Sequence, residues 1–212
     1  MTPTYWFFLN LARIIARTCF SLEVRGQENL EPLRGQGVLL AANHQSYLDP
    51  PLVALSTPWP IHFLARKTLL QWPILGPIFP ALNVIAVDQE RPDMSALKAV
   101  IRLVRAQQTT IIFPEGSRTL DGNLQPAQPG LGLIIAKTLG PVVPMRIFGA
   151  FEAMPRAGKR IRALPVRVKI GPPVFFTAQV LSDMGGEGRE LYQRLSEHVM
   201  SAIAAIRWED NE

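Results

Sequence analysis

The sequence predicts an α/β domain built on a mixed, largely parallel sheet flanked by helices, with an amphipathic helix ahead of it. Short apolar runs bounded by turn residues alternate with helical patterns, the arrangement that packs helices against a sheet. The chain has 212 residues, 48% hydrophobic and 18% charged, enough to bury a core of its own. No internal repeat, low-complexity tract or Gly/Ser linker divides it. The same figures exclude global disorder. A lone cysteine, Cys19, excludes a disulfide scaffold and suits a reducing compartment. His44, His62 and His198 are too scattered for a Cys/His zinc site, so no metal is expected.

The first element covers residues 4–20. Asn10, Arg13 and Arg17 fall on one stripe of a helix, surrounded by Trp6, Phe7, Leu9, Leu11, Ile14, Ile15 and Phe20. The arginines break the apolar run below the ~20 residues that span a bilayer. Charges in mid-segment do not fit a signal peptide. Two readings stay open on these residues: a helix lying in the membrane interface, or one packing on the domain core. The expected organisation is a membrane-associating segment over 1–26 and the α/β domain over 27–212.

Strands are expected at Gly37–Ala42, Ile61–Ala65, Val84–Val87, Thr110–Phe113, Val142–Ile147 and Val166–Ile170. Helical stretches are expected over 51–56, 93–107, 130–138 and 187–207. In the second, Leu97, Val100, Ile101 and Val104 line one face and Lys98, Arg102 and Arg105 the other. In the last, Leu191, Leu195, Val199 and Ile203 form one stripe. Residues 69–80 are apolar but broken by prolines, so they form a loop that is either buried or meets something apolar.

Charge is unevenly placed. The net +5 divides into +2 over residues 1–26, +1 over 27–144, +6 over 145–170 and −4 over 171–212. Such asymmetry points to an anionic partner. The block Arg146, Arg156, Lys159, Arg160, Arg162, Arg167 and Lys169 lacks interleaved aromatics and any nucleic-acid motif, so no nucleic-acid partner is expected. A patch facing a membrane or coenzyme A phosphates is the more economical reading, with a solvated basic loop as the bland one.

In sheets of this kind chemistry gathers at loops leaving strand carboxyl ends, and two such loops are polar. One reads Asn43-His44-Gln45-Ser46-Tyr47-Leu48-Asp49-Pro50. On a continuous helix His44 and Asp49 would not meet. Pro50 disfavours helical geometry at Asp49, however, and suits the first position of a following helix. A turn can therefore fold Asp49 onto His44, fixing its tautomer and leaving the opposite ring nitrogen as a general base. Asp49 as a plain helix N-cap is the alternative. The other loop reads Phe113-Pro114-Glu115-Gly116-Ser117-Arg118-Thr119. Arg118 can fork onto a phosphate, and the Gly116 and Ser117 amides can form an anion nest. Glu115 is expected either to bond a substrate hydroxyl or to pair with Arg118. A serine hydrolase is disfavoured because Ser46 and Ser117 lie in no Gly-x-Ser-x-Gly elbow.

On these two loops, in this order and separation, the chain resembles the glycerolipid acyltransferase family with a His-x4-Asp motif, typified by 1-acylglycerol-3-phosphate acyltransferases. Two weaker blocks, Ile85-Ala86-Val87-Asp88-Gln89 and Val142-Val143-Pro144-Met145, extend the resemblance over about residues 20–175. It implies transfer of an acyl group from acyl-CoA or acyl carrier protein to the hydroxyl of a lysophospholipid, foremost 1-acylglycerol-3-phosphate to give phosphatidic acid. His44 would be the base and Asp49 its support. Glu115, Gly116, Ser117 and Arg118 would hold the headgroup, with Arg91 and Lys67 as further phosphate candidates. The thioester serves as co-substrate and no bound cofactor is implied. The N-terminal helix would place the enzyme on the cytoplasmic face of the inner or plasma membrane. Where the family's third block carries arginine this chain has Gln89. A non-glycerol lysolipid such as a lyso-ornithine lipid therefore stays open as acceptor. A lipid-binding relative without catalysis is the remaining alternative, which His44, Asp49, Glu115 and Arg118 together disfavour.

Overall fold

Period-two alternation places the central strand of the fold. In Leu39–Ala42, Leu39 and Ala41 face one apolar layer while Leu40 and Ala42 face the other, all four buried. The computed structural model describes residues 3–66, 68, 71, 73, 76, 79–87, 92–156, 158 and 160–208. Its strands are Glu23–Arg25 (β1), Leu39–Ala42 (β2), Phe63–Arg66 (β3), Val84–Val87 (β4), Thr110–Ile112 (β5), Val142–Phe148 (β6) and Arg167–Ile170 (β7). Its helices are Pro3–Phe20 (α1), Asp49–Ser56 (α2), Pro92–Arg105 (α3), Gly130–Thr138 (α4), Ala150–Ala153 (α5), Ala178–Met184 (α6) and Gly188–Ala205 (α7).

The main sheet has the order β1-β7-β6-β2-β5, and only the β6–β7 pair is antiparallel. Parallel β3 and β4 form a ribbon that a single bridge from His62 to Thr110 joins to β5. The mixed, mostly parallel sheet is therefore the expected one. Helices α1 and α2 cover one face, around Leu40, Val53, Ile111, Val143 and Val168. Helices α3, α4 and α7 cover the other, around Leu39, Val100, Ile134, Leu195 and Val199. Helices α4 and α7 approach so closely that a Cβ on Gly132 would lie 1.9 Å from the Tyr192 carbonyl oxygen. The Gly132 amide donates to Ser196 Oγ at 2.9 Å across the same contact.

Two expectations change. The boundary at residue 26 runs through one packing unit, because β1 pairs with β7 and Tyr5, Leu9, Ala16 and Phe20 of α1 are buried in the core. Helix α1 nonetheless keeps a second apolar face outward, with Phe7 64% and Ile14 61% exposed and Trp6, Leu11 and Ile15 also exposed. No helix among the described residues is long and apolar enough to cross a membrane. Most of the apolar 69–80 segment lies outside the described residues; Phe79–Leu82 forms a 3₁₀ turn against α1.

The basic 145–170 block is split in space. Arg146 donates to the carbonyls of Ala204 and Ile206, and Lys169 to that of Arg207. Arg167 and Arg25 lie over the Trp208 ring. These cations clasp the carboxyl end of α7, where unpaired carbonyls and the helix dipole attract positive charge.

Candidate active site

Because β2 and β5 pair in parallel, with Ala41 opposite Ile112, their carboxyl ends bring the two polar loops side by side. His44 leaves β2, and its ring stacks on Phe113 at 3.9 Å between centroids, with 12° between the planes. His44 Nδ1 lies 2.8 Å from Asp49 Oδ2, while Nε2 has no hydrogen-bond partner among the described residues.

Asp49 is the first residue of α2, so the helix starts one residue before Pro50 and Asp49 is not its N-cap. Its side chain reaches back over the turn, and Oδ2 accepts the amides of Gln45 at 2.6 Å and Ser46 at 2.7 Å as well as the imidazole. The residue is 0% exposed and Oδ1 is buried without a hydrogen-bond partner among the described residues. Burial holds the carboxyl above its ordinary range, against the opposing pull of His44 and the two amides. An acceptor at Nδ1 places the proton there, so Nε2 carries the lone pair.

Glu115 holds the histidine from behind. Its Oε1 accepts the His44 amide at 2.8 Å and its Oε2 the Gln125 amide at 3.0 Å. The Thr119 amide in turn donates to the His44 carbonyl at 2.9 Å. Burial pushes the Glu115 carboxyl up to about 7; the two amide bonds oppose this and the Asp49 charge adds to it. Both oxygens accept backbone amides, and no Glu115–Arg118 pair forms among the described residues.

Gly116 turns the loop at φ +72°, a left-handed conformation that favours glycine, and donates its amide to the Phe113 carbonyl at 3.0 Å. Gly116 and Ser117 are exposed. The Arg118 guanidinium lies 3.5 Å above the Tyr47 ring, and its Nη1 is buried without a hydrogen-bond partner among the described residues. Arg156 donates to the Arg118 carbonyl at 3.0 Å. Lys67, Arg91 and Gln89 lie outside the described residues.

Several residues about the site gave no functional signal of their own in the sequence. Asn43 extends the sheet with its side chain, exchanging hydrogen bonds with Ile147 at 3.0 and 2.7 Å. Ser46 Oγ donates to the Met154 carbonyl at 2.8 Å, and Gln45 Nε2 to that of Gly122 at 3.1 Å. Tyr47, Thr119 and Arg156 complete the surround. The asparagine directly before His44 was the available hint.

A family model described as Acyltransferase matches residues 21–148. A 1-acyl-sn-glycerol-3-phosphate acyltransferase of Limnanthes alba is 28% identical over 156 residues, which are 72% of this chain and 54% of that protein. The chain thus spans about half the length of this plant relative. The Bacillus subtilis protein of the same name is 27% identical over 172 residues, covering 80% of this chain and 82% of that one. The crystal structure of the 1-acyl-sn-glycerophosphate acyltransferase from Thermotoga maritima shares the fold, with a TM-score of 0.67 at 24% identity, over 97% of this chain and 83% of that one.

Proposed function

The chain belongs to the acyltransferase family, and from that premise we propose that it moves a fatty acyl group from an acyl thioester to the free hydroxyl of 1-acylglycerol-3-phosphate, forming phosphatidic acid. The names of its relatives favour a glycerol phosphate over a lyso-ornithine acceptor. One observation carries the reading: His44 Nδ1 held 2.8 Å from a fully buried carboxylate, with Nε2 left without a partner among the described residues.

In this reading Nε2 takes the proton of the acceptor hydroxyl as its oxygen attacks the thioester carbonyl carbon. The tetrahedral intermediate collapses, the C–S bond breaks, and the thiolate leaves with the proton that His44 returns. Asp49 holds the tautomer and stabilises the transient imidazolium. No covalent enzyme intermediate forms. A thioester is already activated, so the steps call for no metal or bound cofactor, and coenzyme A or acyl carrier protein serves as the leaving carrier.

Arg118, with its buried unpaired Nη1, and the exposed Gly116–Ser117 backbone would receive the acceptor phosphate. Lys67 and Arg91 are further phosphate contacts in the proposal. Glu115 is a positioning residue acting through the His44 backbone. The outer face of α1 would lie in the membrane interface on the cytoplasmic side, where the thioester donors reside.

The test is His44→Ala with an acyl thioester and 1-acylglycerol-3-phosphate presented in vesicles, read by thiol release. Loss of a general base lowers kcat by about 10²–10⁴. Turnover within a few fold of the unmodified protein would remove His44 from the chemistry.

A further inference from the structure

Of the seven Lys/Arg in residues 145–170, Arg146, Arg167 and Lys169 are engaged at the carboxyl end of α7 or on Trp208. The remaining described cations, Arg156, Arg160 and Arg162, sit on the loop between α5 and β7, and all three are exposed. None of them makes an ion pair among the described residues, and the sequence from Ala153 to Val166 contains no acidic residue. A run of like charge left uncompensated selects an anionic partner.

The loop is fixed to the catalytic turn at several points. Ser46 Oγ donates to Met154, Arg156 to the Arg118 carbonyl, and the Arg162 amide to the Ala153 carbonyl at 2.8 Å. Leu164 packs on the core, and the Val166 amide donates to the Phe20 carbonyl at the end of α1 at 2.9 Å. Between Arg160 and Arg162, Ile161 is 59% exposed, and Leu120, close after the Arg118 loop, is 76% exposed. Exposed aliphatic side chains alternating with arginines match the boundary between lipid headgroups and acyl chains.

We propose that Arg160, Ile161 and Arg162, on the loop between α5 and β7, form a docking surface for an anionic lipid bilayer beside the active-site mouth. Arg160 and Arg162 contact headgroup phosphates while Ile161 enters the layer beneath them. The inference rests on the reading that the acceptor is a bilayer-borne lysolipid. It adds a second contact, adjoining the end of α1, that sets the mouth against the leaflet holding that acceptor.

The test is flotation of the full-length protein with phosphatidylcholine vesicles containing or lacking phosphatidylglycerol, comparing it with Arg160→Gln/Arg162→Gln and Ile161→Ser. At about 1 kcal/mol per basic residue near an anionic surface, the double variant should bind the anionic vesicles about 30-fold more weakly and the neutral ones unchanged. Ile161→Ser should weaken binding to both. Thiol release with a monodisperse short-chain acceptor should be the same in all three proteins. Unchanged flotation of the double variant on anionic vesicles overturns the proposal. So does a raised donor KM in the monodisperse assay, which would assign the loop to the carrier's phosphates. Absence of acyl transfer in the unmodified protein would sink the functional reading instead, and the flotation result would still decide the docking surface.

Discussion

Asparagine and alanine at position 49 should separate the structural from the chemical work of the buried carboxylate. Three N–H groups converge on Asp49 Oδ2, from His44 at 2.8 Å, Gln45 at 2.6 Å and Ser46 at 2.7 Å. Asp49→Ala deprives all three of their acceptor. Ser46 is fully buried and Gln45 half-buried, so water cannot readily replace it. At about 1–3 kcal/mol for each amide left unsatisfied, the two backbone donors alone should cost the alanine variant about 2–6 kcal/mol of stability. Asp49→Asn keeps an oxygen for these donors and turns its NH₂ toward the side where Oδ1 has no partner. Removing the buried charge offsets part of the cost of an NH₂ without an acceptor, so the asparagine variant should be destabilised less than the alanine variant. The amide cannot support an imidazolium. The asparagine variant should therefore lose about 10³-fold in kcat, about 4 kcal/mol of barrier, with little change in either KM. Urea unfolding and thiol-release kinetics read the two effects separately. An asparagine variant retaining a tenth of the activity, or one as unstable as the alanine variant, would refute this division of labour.

The Glu115 carboxyl, pushed up to about 7 in the fold, keeps a proton that the unfolded chain, titrating near 4.3, has already released. Its contribution to stability should therefore fall as pH rises from about 4.5 to 7, by at most about 1.4 kcal/mol per pH unit, and level off above. Glu115→Gln should lack this slope, so a pH-independent stability difference between the two proteins would contradict the raised pKa. Arg118→Lys gives up the planar stack on Tyr47 and the spare guanidinium nitrogen; its acceptor KM should rise about 10–100-fold at constant donor KM, and unchanged acceptor kinetics would clear Arg118 of that role. Phe7→Ser with Ile14→Ser touches only the outer face of α1, so melting should hold within about 0.5 kcal/mol per site while vesicle binding falls at least tenfold. Sedimentation with vesicles at the original level would move the membrane contact away from α1. Deleting α1 is the poorer experiment, because Tyr5, Leu9, Ala16 and Phe20 belong to the core.

What the sequence made legible is what repeats locally. Leu39 to Ala42 alternate between two layers, and Val100, Val104, Leu195, Val199 and Ile203 recur at helical spacing, so their burial follows from periodicity. Strand β1 escaped because Glu23 and Arg25 are exposed and only Val24 turns toward the core, too short a pattern to register. The His44–Asp49 pair was legible because a turn was expected between β2 and a helix starting near Pro50, although Asp49 proves to be the first helical residue. The three donors on one oxygen were not, since two of them are backbone amides that every sequence has. Glu115 was harder still. Its near neighbour Arg118 offers an obvious partner, but the carboxylate instead takes the amide of a residue 71 positions away. The basic block misled for the same reason: Arg146, Arg167 and Lys169 are near Arg160 in sequence yet meet the carboxyl end of α7 in space.

The parallel pairing of β2 with β5 makes the two motifs one mechanical unit. Glu115 takes the amide of His44 and Thr119 donates to its carbonyl, so the peptide bonds on both sides of the histidine are held by the loop that also presents Arg118. The imidazole itself is held between Asp49 and the Phe113 ring, and Phe113 opens that same loop. In the proposed reaction, a base fixed at its ring and at both adjoining peptides would lose little freedom when the acceptor arrives, which is how positioning lowers a bimolecular barrier. The cost is a fully buried Asp49 beside a Glu115 that resists ionisation near neutral pH. Two such carboxyls would be poor choices for stability alone. Their placement around one histidine fits the proposed chemistry at Nε2 better than a role in packing.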